Sequence, residues 1–106
     1  MNTDTDSLPY AEMLANACKA EALLKQLANA KRLMVLCHLV PGERTVGALA
    51  EAVALSSSAL SQHLAKLREA GLVACEKRGQ MVYYRIASAD AQAVLSALYG
   101  IYCTSK

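Results

Sequence analysis

Apolar residues recur at helical spacing near the start of the chain, where Met13, Leu14, Ala17, Leu24, Leu27 and Ala28 follow a 3.6-residue repeat. With Ser7-Leu8-Pro9 before them and proline tolerated in a first turn, the pattern predicts a helix over about 9–28. Asn29 is positioned to cap a second, short and buried helix whose apolar stripe, Leu33, Leu36, Cys37 and Val40, stops at Pro41-Gly42. Thr45 caps a third helix from Val46 to about Val53, with Leu49 and Val53 facing inward. Ser56, Ser57 and Ser58 offer caps for a fourth, which runs to Ala70 and ends at Gly71 as a left-handed residue. Two helices joined by so short a turn form a helix-turn-helix.

From Leu72 the period changes. LVACEKRGQMVYYRIA reads as two strands meeting at Arg78-Gly79, with Lys77, Arg78 and Gln80 at or near the tip. Ser88 then caps a last helix with an inward stripe of Ala91, Val94, Leu95, Leu98 and Tyr102. The predicted fold is mainly α, a winged helix-turn-helix of five helices with one β-hairpin wing in the order α-α-α-α-β-β-α. Residues 1–8 are expected to be a flexible tail, and 9–106 a single DNA-binding and dimerisation domain.

Composition adds a partner to this picture. A lone chain of 106 residues buries only ~60–65% of its unfolded surface, so a second subunit is expected. The sequence is 55% hydrophobic without Trp or Phe, which suits an aliphatic helical core. Its net charge of +2 is unevenly spread. Residues 1–30 carry Asp4, Asp6, Glu12 and Glu21 against Lys19 and Lys25, whereas residues 56–87 carry Lys66, Arg68, Lys77, Arg78 and Arg85 against Glu69 and Glu76. The acidic start MNTDTDSLPY is unlike a secretion signal, and no apolar run reaches the ~18 residues a membrane span requires. A cytoplasmic protein with no membrane contact is expected. Thiols stay reduced there, so the four cysteines read as fillers, ligands or redox switches rather than staples. No Cys-x-x-Cys motif points to a thioredoxin-like enzyme, and no catalytic activity is expected.

On the fourth helix, ~100° per residue puts Leu60, Leu64 and Leu67 on one side and turns Ser58, Ser61, Gln62 and Ala65 to the other. Serines and a carboxamide on an exposed helix can meet base edges in a DNA major groove, and the first turn offers free N–H groups to a phosphate. Any one of these features would suit an ordinary solvated surface, but together with the preceding helix and the basic hairpin tip they form one docking face. Ser57, Ser58, Ser61 and Gln62 are the candidate reading residues. His63 is nearer the inward flank, either packing or touching phosphate, and Lys77, Arg78 and Gln80 are candidate wing contacts to the DNA backbone.

These residues resemble the ArsR (SmtB/ArsR) family of bacterial regulators. LKQLANAKRLMVLCHL and VGALAEAVALSSSALSQHLAKLREAGLVACEKRGQMVYYRI carry the similarity, which spans about residues 20–103 and is most specific over Ser57 to Val73. The resemblance implies a homodimer joined through the first and last helices, bound to an inverted repeat of double-stranded operator DNA and released by an effector. The family's metal sites have no counterpart here. The third helix, VGALAEAVAL, lacks cysteine, and Asp90 is the only carboxylate or histidine between Asp90 and Lys106. No metal or cofactor is expected.

Cys37 on the second helix and Cys103 at the end of the last, in the pair Tyr102-Cys103, resemble the BigR/SqrR persulfide-sensing branch with its HlyU-like relatives. That resemblance implies a repressor in which reactive sulfur species or oxidants link the two thiols, weaken operator binding and derepress sulfide-detoxification genes. In the sequence alone Cys37, on an apolar stripe with Leu33, Leu36 and Val40, reads first as core packing. The sequence offers no clear activation of either thiol by a cation or helix N-terminus, though Cys103 borders the apolar stripe and is the more exposed. Cys18 reads as dimer-interface packing and Cys75 as hairpin packing. The alternatives are a general redox-responsive or HlyU-like virulence-gene regulator on the same fold, a metal-sensing repressor, and a thiol protein that does not bind DNA.

Overall fold

A computed structural model describes residues 8–103 of the chain; apart from Leu8, the tail expected at 1–8 lies outside the described residues. Helix α1 (Tyr10–Leu27) is followed by α2 (Ala30–Leu39), strand β1 (Arg44–Thr45), α3 (Val46–Val53), α4 (Ser57–Glu69), β2 (Val73–Arg78), β3 (Met81–Ile86) and α5 (Ala89–Tyr102). This is a winged helix: α3 and α4 form the helix-turn-helix, and β2 and β3 form the wing.

Local chemistry explains the boundaries. Asn29, Thr45, Ser56 and Ser88 each accept a backbone N–H three residues ahead, from Arg32, Ala48, Ala59 and Ala91. Of the three candidate serines Ser56 is the cap, and Ser57 and Ser58 are the first helical residues. α4 ends in a Schellman motif, with Leu72 N–H on Leu67 O and Gly71 N–H on Arg68 O, made possible by the positive φ of 80° at Gly71. Arg32 joins α1 to α2 by donating Nε to Gln26 O at 2.8 Å and its NH2 to Lys25 O at 3.3 Å, which satisfies carbonyls at the end of α1.

Val35, Leu36 and Leu39 of α2, Leu49 and Val53 of α3, Leu60, Leu64 and Leu67 of α4, and Ala91 and Leu95 of α5 close the core, with Leu27, Leu72 and Val73 at its margins. The sheet is antiparallel in the order β1-β3-β2. β2 and β3 are joined by Gly79-Gln80, with Gly79 at φ 63° where a two-residue hairpin turn needs it.

Two expectations change. The hairpin gains a third strand, because the turn after Pro41-Gly42 lays Arg44 and Thr45 beside Tyr84 and Tyr83. Tyr102 is not part of the inward stripe; it is 78% exposed, since α5 runs past the end of the core. α1 likewise leaves Tyr10, Met13, Leu14 and Leu24 exposed and buries only Leu27. Among the described residues no helix is long and apolar enough to cross a membrane.

Candidate nucleic-acid interface and thiol pair

The inward leucines of α4 fix which side chains face out. Ser57, Ser58, Ser61 and Gln62 are exposed, while His63 is half-buried at the flank. Ser58 Oγ stands 3.4 Å from Ser56 Oγ, so the first turn presents a pair of hydroxyls beside the helix N-terminus. The turn that sets the angle of α4 closes through Ala54, whose left-handed φ of 53° is the only positive φ outside glycine among the described residues.

Lys77, Arg78 and Gln80 are exposed on the wing. Arg78 is not a free cation. Its guanidinium grips Glu43 with two hydrogen bonds, one of 2.9 Å, reaches Glu76 at 2.8 Å, and lies 4.6 Å from the centre of the Tyr83 ring. The hydrogen bond from Arg78 holds the Glu43 carboxyl below its usual range, and Arg78 is raised in turn by Glu43 and then Glu76. Lys77 makes no ion pair among the described residues.

The second cluster lies where α2 meets the end of α5. Cys37 is half-buried on α2, and Cys103 is the exposed residue that caps α5, its N–H on Tyr99 O at 2.8 Å. The chain brings these distant residues together. Burial, then the charge of Cys103, then a hydrogen bond with Cys103 push the Cys37 thiol above its ordinary value of 9.0, so Cys37 stays protonated near neutrality. All four cysteines are free.

Two cavities flank the pair. One, of about 300 Å³, is walled by Leu33, Met34, Leu98 and Tyr102 along with Cys37, His38 and Cys103. The other, of about 230 Å³, shares Cys37, His38 and Cys103 but is completed by Pro41, Arg44 and Tyr99. His38 Nδ1–H donates to Met34 O at 2.7 Å, leaving Nε2 as the other ring nitrogen, and Arg44 Nε donates to His38 O at 2.8 Å.

Comparison with known proteins matches this order of helices and wing. The model of the bacterial regulatory protein, arsR family, matches residues 24–74, and HlyU of Vibrio cholerae, a transcriptional activator, is 47% identical over 95 residues, 90% of this chain and 88% of that protein. The chain belongs to the arsR family. This arsR-family regulator superposes on reduced Vibrio cholerae HlyU with a TM-score of 0.84 at 46% identity, over 88% of this chain and 98% of that one. It superposes on the transcriptional repressor BigR of Xylella fastidiosa with a TM-score of 0.80 at 36% identity, over 92% and 100% of the two chains. A solution structure of the homodimeric winged helix-turn-helix DNA-binding domain of Mb0332 from Mycobacterium bovis gives 0.73 at 30% identity, over 90% and 88%. The protein is accordingly a DNA-binding transcriptional regulator.

Several residues around these two clusters carry no clear signal in the sequence. His38, beside Cys37, was visible in the chain but had no assigned role. Arg44 and Tyr99 enter only because the Pro41-Gly42 turn and the length of α5 fold them towards Cys103. Glu43 carried no signal, since its partner Arg78 is 35 positions away. Cys75 faces Tyr84 across the hairpin; burial and then Cys75 raise the Tyr84 hydroxyl, while its hydrogen bond with Arg68 of α4 opposes them.

Proposed function

We propose that the protein is a homodimeric repressor that binds an inverted-repeat operator in its dithiol form and senses reactive sulfur species, persulfides above all, through Cys37 and Cys103. Bridging the two thiols releases the DNA and derepresses genes of sulfide detoxification. The observation that carries this reading is the meeting of Cys103, at the end of α5, with the half-buried Cys37 on α2.

Cys103 is exposed and attacks first, while burial keeps Cys37 protonated. A persulfide RSSH gives its outer sulfur to the Cys103 thiolate and leaves as RS⁻, which takes up the proton. The Cys37 sulfur then attacks Cys103 Sγ, and hydrogen sulfide departs. The sum is one persulfide and two thiols giving one disulfide, one RSH and one H₂S. A second donor molecule before ring closure leaves one sulfur atom inside the bridge and relaxes the ~7 Å limit on Cα separation.

The bridge ties α2, which packs on α3, to α5. Half-sites lie one DNA turn apart and tolerate little misplacement, so a coupling of ~1–3 kcal/mol weakens binding about 5- to 150-fold. The exposed apolar residues of α1, together with Ile101 and Tyr102, supply the dimer surface, in keeping with the homodimeric Mycobacterium bovis relative. Ser57, Ser58, Ser61 and Gln62 read bases, with Lys77, Arg78 and Gln80 on the DNA backbone and His63 at the flank. Gel-shift titration with and without a persulfide donor tests the switch. Wild type releases the operator, whereas Cys37→Ser and Cys103→Ser stay bound; release of both variants as readily as wild type overturns the assignment.

A further inference from the structure

The two cavities beside the thiol pair differ in one respect that bears on what reaches Cys103. The larger is walled by aliphatic and aromatic side chains, whereas the smaller places a cation, Arg44, in the same enclosure as both sulfurs. That guanidinium is fixed at two points. Its Cα is held in the sheet opposite Tyr84, and its Nε is spent on His38 O at 2.8 Å.

The terminal amino groups of Arg44 have no carboxylate within ion-pair distance among the described residues. Arg78, by contrast, is committed to Glu43 and Glu76, and Arg32 to carbonyls at the end of α1. A positioned and unpaired guanidinium suits a carboxylate, which it can hold through two parallel hydrogen bonds. The cavity of about 230 Å³ far exceeds the ~10–15 Å³ of such space that one water needs, so a small organic guest has room beside the sulfurs.

We propose that this cavity is a docking subsite for a small organic persulfide bearing a carboxylate, with Arg44 holding the carboxylate so that the persulfide sulfur meets Cys103. The inference rests on the sulfur-sensing reading above and adds to it the class of donor. In the docked complex the Cys103 thiolate attacks the outer sulfur of RSSH. The donor S–S bond breaks as the new one to Cys103 Sγ forms, and the electron pair leaves on the inner sulfur as RS⁻. The proton given up by Cys103 passes to that thiolate, so the products are a hydropersulfide on Cys103 and free RSH. Arg44 acts on the carboxylate alone and takes no part in the exchange.

The test compares two donors differing only in charge, the persulfide of N-acetylcysteine and that of its amide, on full-length Cys37→Ser protein, where transfer stops at Cys103. Intact mass against time gives the rate of sulfur gain. The carboxylate donor is expected to react about tenfold faster than the amide at low salt, with the advantage shrinking as salt screens the pair. Arg44→Gln slows the carboxylate donor about tenfold and leaves the amide rate unchanged, and Arg44→Lys restores part of the preference. Equal rates for the two donors before any change at Arg44 overturn the subsite and need no folded Arg44 variant; so does Arg44→Gln slowing both alike. Both results leave sulfur sensing intact. Failure of either donor to add sulfur to Cys103 instead overturns the reading on which the subsite depends.

Discussion

Cys37 and Cys103 differ in surroundings more than in chemistry. The first is held as a thiol by burial and by its neighbour, whereas the second stands exposed at a helix end. Alkylation of Cys37 followed against pH should therefore have its midpoint above 9.0. Because burial is the largest cause, Cys103→Ala should lower that midpoint without taking it below the ordinary value; an unchanged midpoint would mean that the two sulfurs do not interact. The sequence identified these cysteines only through resemblance, since nothing local shows two distant residues meeting. The caps, by contrast, were readable directly, as a hydroxyl or carboxamide before an apolar repeat acts over three residues. Ser56→Ala should cost ~1 kcal/mol of folding stability, read by denaturant unfolding.

The wing and α4 were legible as elements, with period two giving the hairpin and Leu60, Leu64 and Leu67 giving the inward face of α4. What the wing's charge is doing was not legible. Arg78 looks like a free cation in the chain, yet Glu43 from the turn before β1 holds it, and that turn continues into the Arg44 cavity. For Arg78 to meet a phosphate it must leave Glu43, so Glu43→Gln should tighten operator binding a few-fold, and Arg78→Ala should weaken it and reduce its salt dependence. Fluorescence anisotropy at several salt concentrations measures both, and weaker binding by Glu43→Gln would count against the wing contact. The sign with pH follows from the lowered Glu43 carboxyl. The clasp is complete above the ordinary carboxylate value of 4.5 and is lost as pH falls through the lower value in the folded chain. On α4, Gln62→Ala should cost ~1–3 kcal/mol of discrimination at one base position, seen by comparing operator variants.

At the scale of the molecule, the radius of gyration of 16.0 Å exceeds the ~13 Å of a compact chain of this length. Within it α1 buries only Leu27 and packs on α2. The sequence showed an apolar repeat on this helix but not what it covers, because periodicity cannot distinguish a core from an interface. If α1 and the end of α5 meet a second copy, Leu24→Asp should give a monomer in sedimentation at micromolar concentration and abolish operator binding; a dimer that still binds would place the interface elsewhere. On this account dimerisation and the thiol pair share α5, so a bridge at Cys103 should reach the spacing of the two α4 helices in the dimer. The most direct test measures one preparation twice, by anisotropy on operator DNA and by peptide mass mapping, before and after a persulfide donor. A Cys37–Cys103 bridge, with or without inserted sulfur, should appear in step with an affinity loss of about 5- to 150-fold. A fully bridged protein that binds its operator as tightly as the dithiol form would contradict the account.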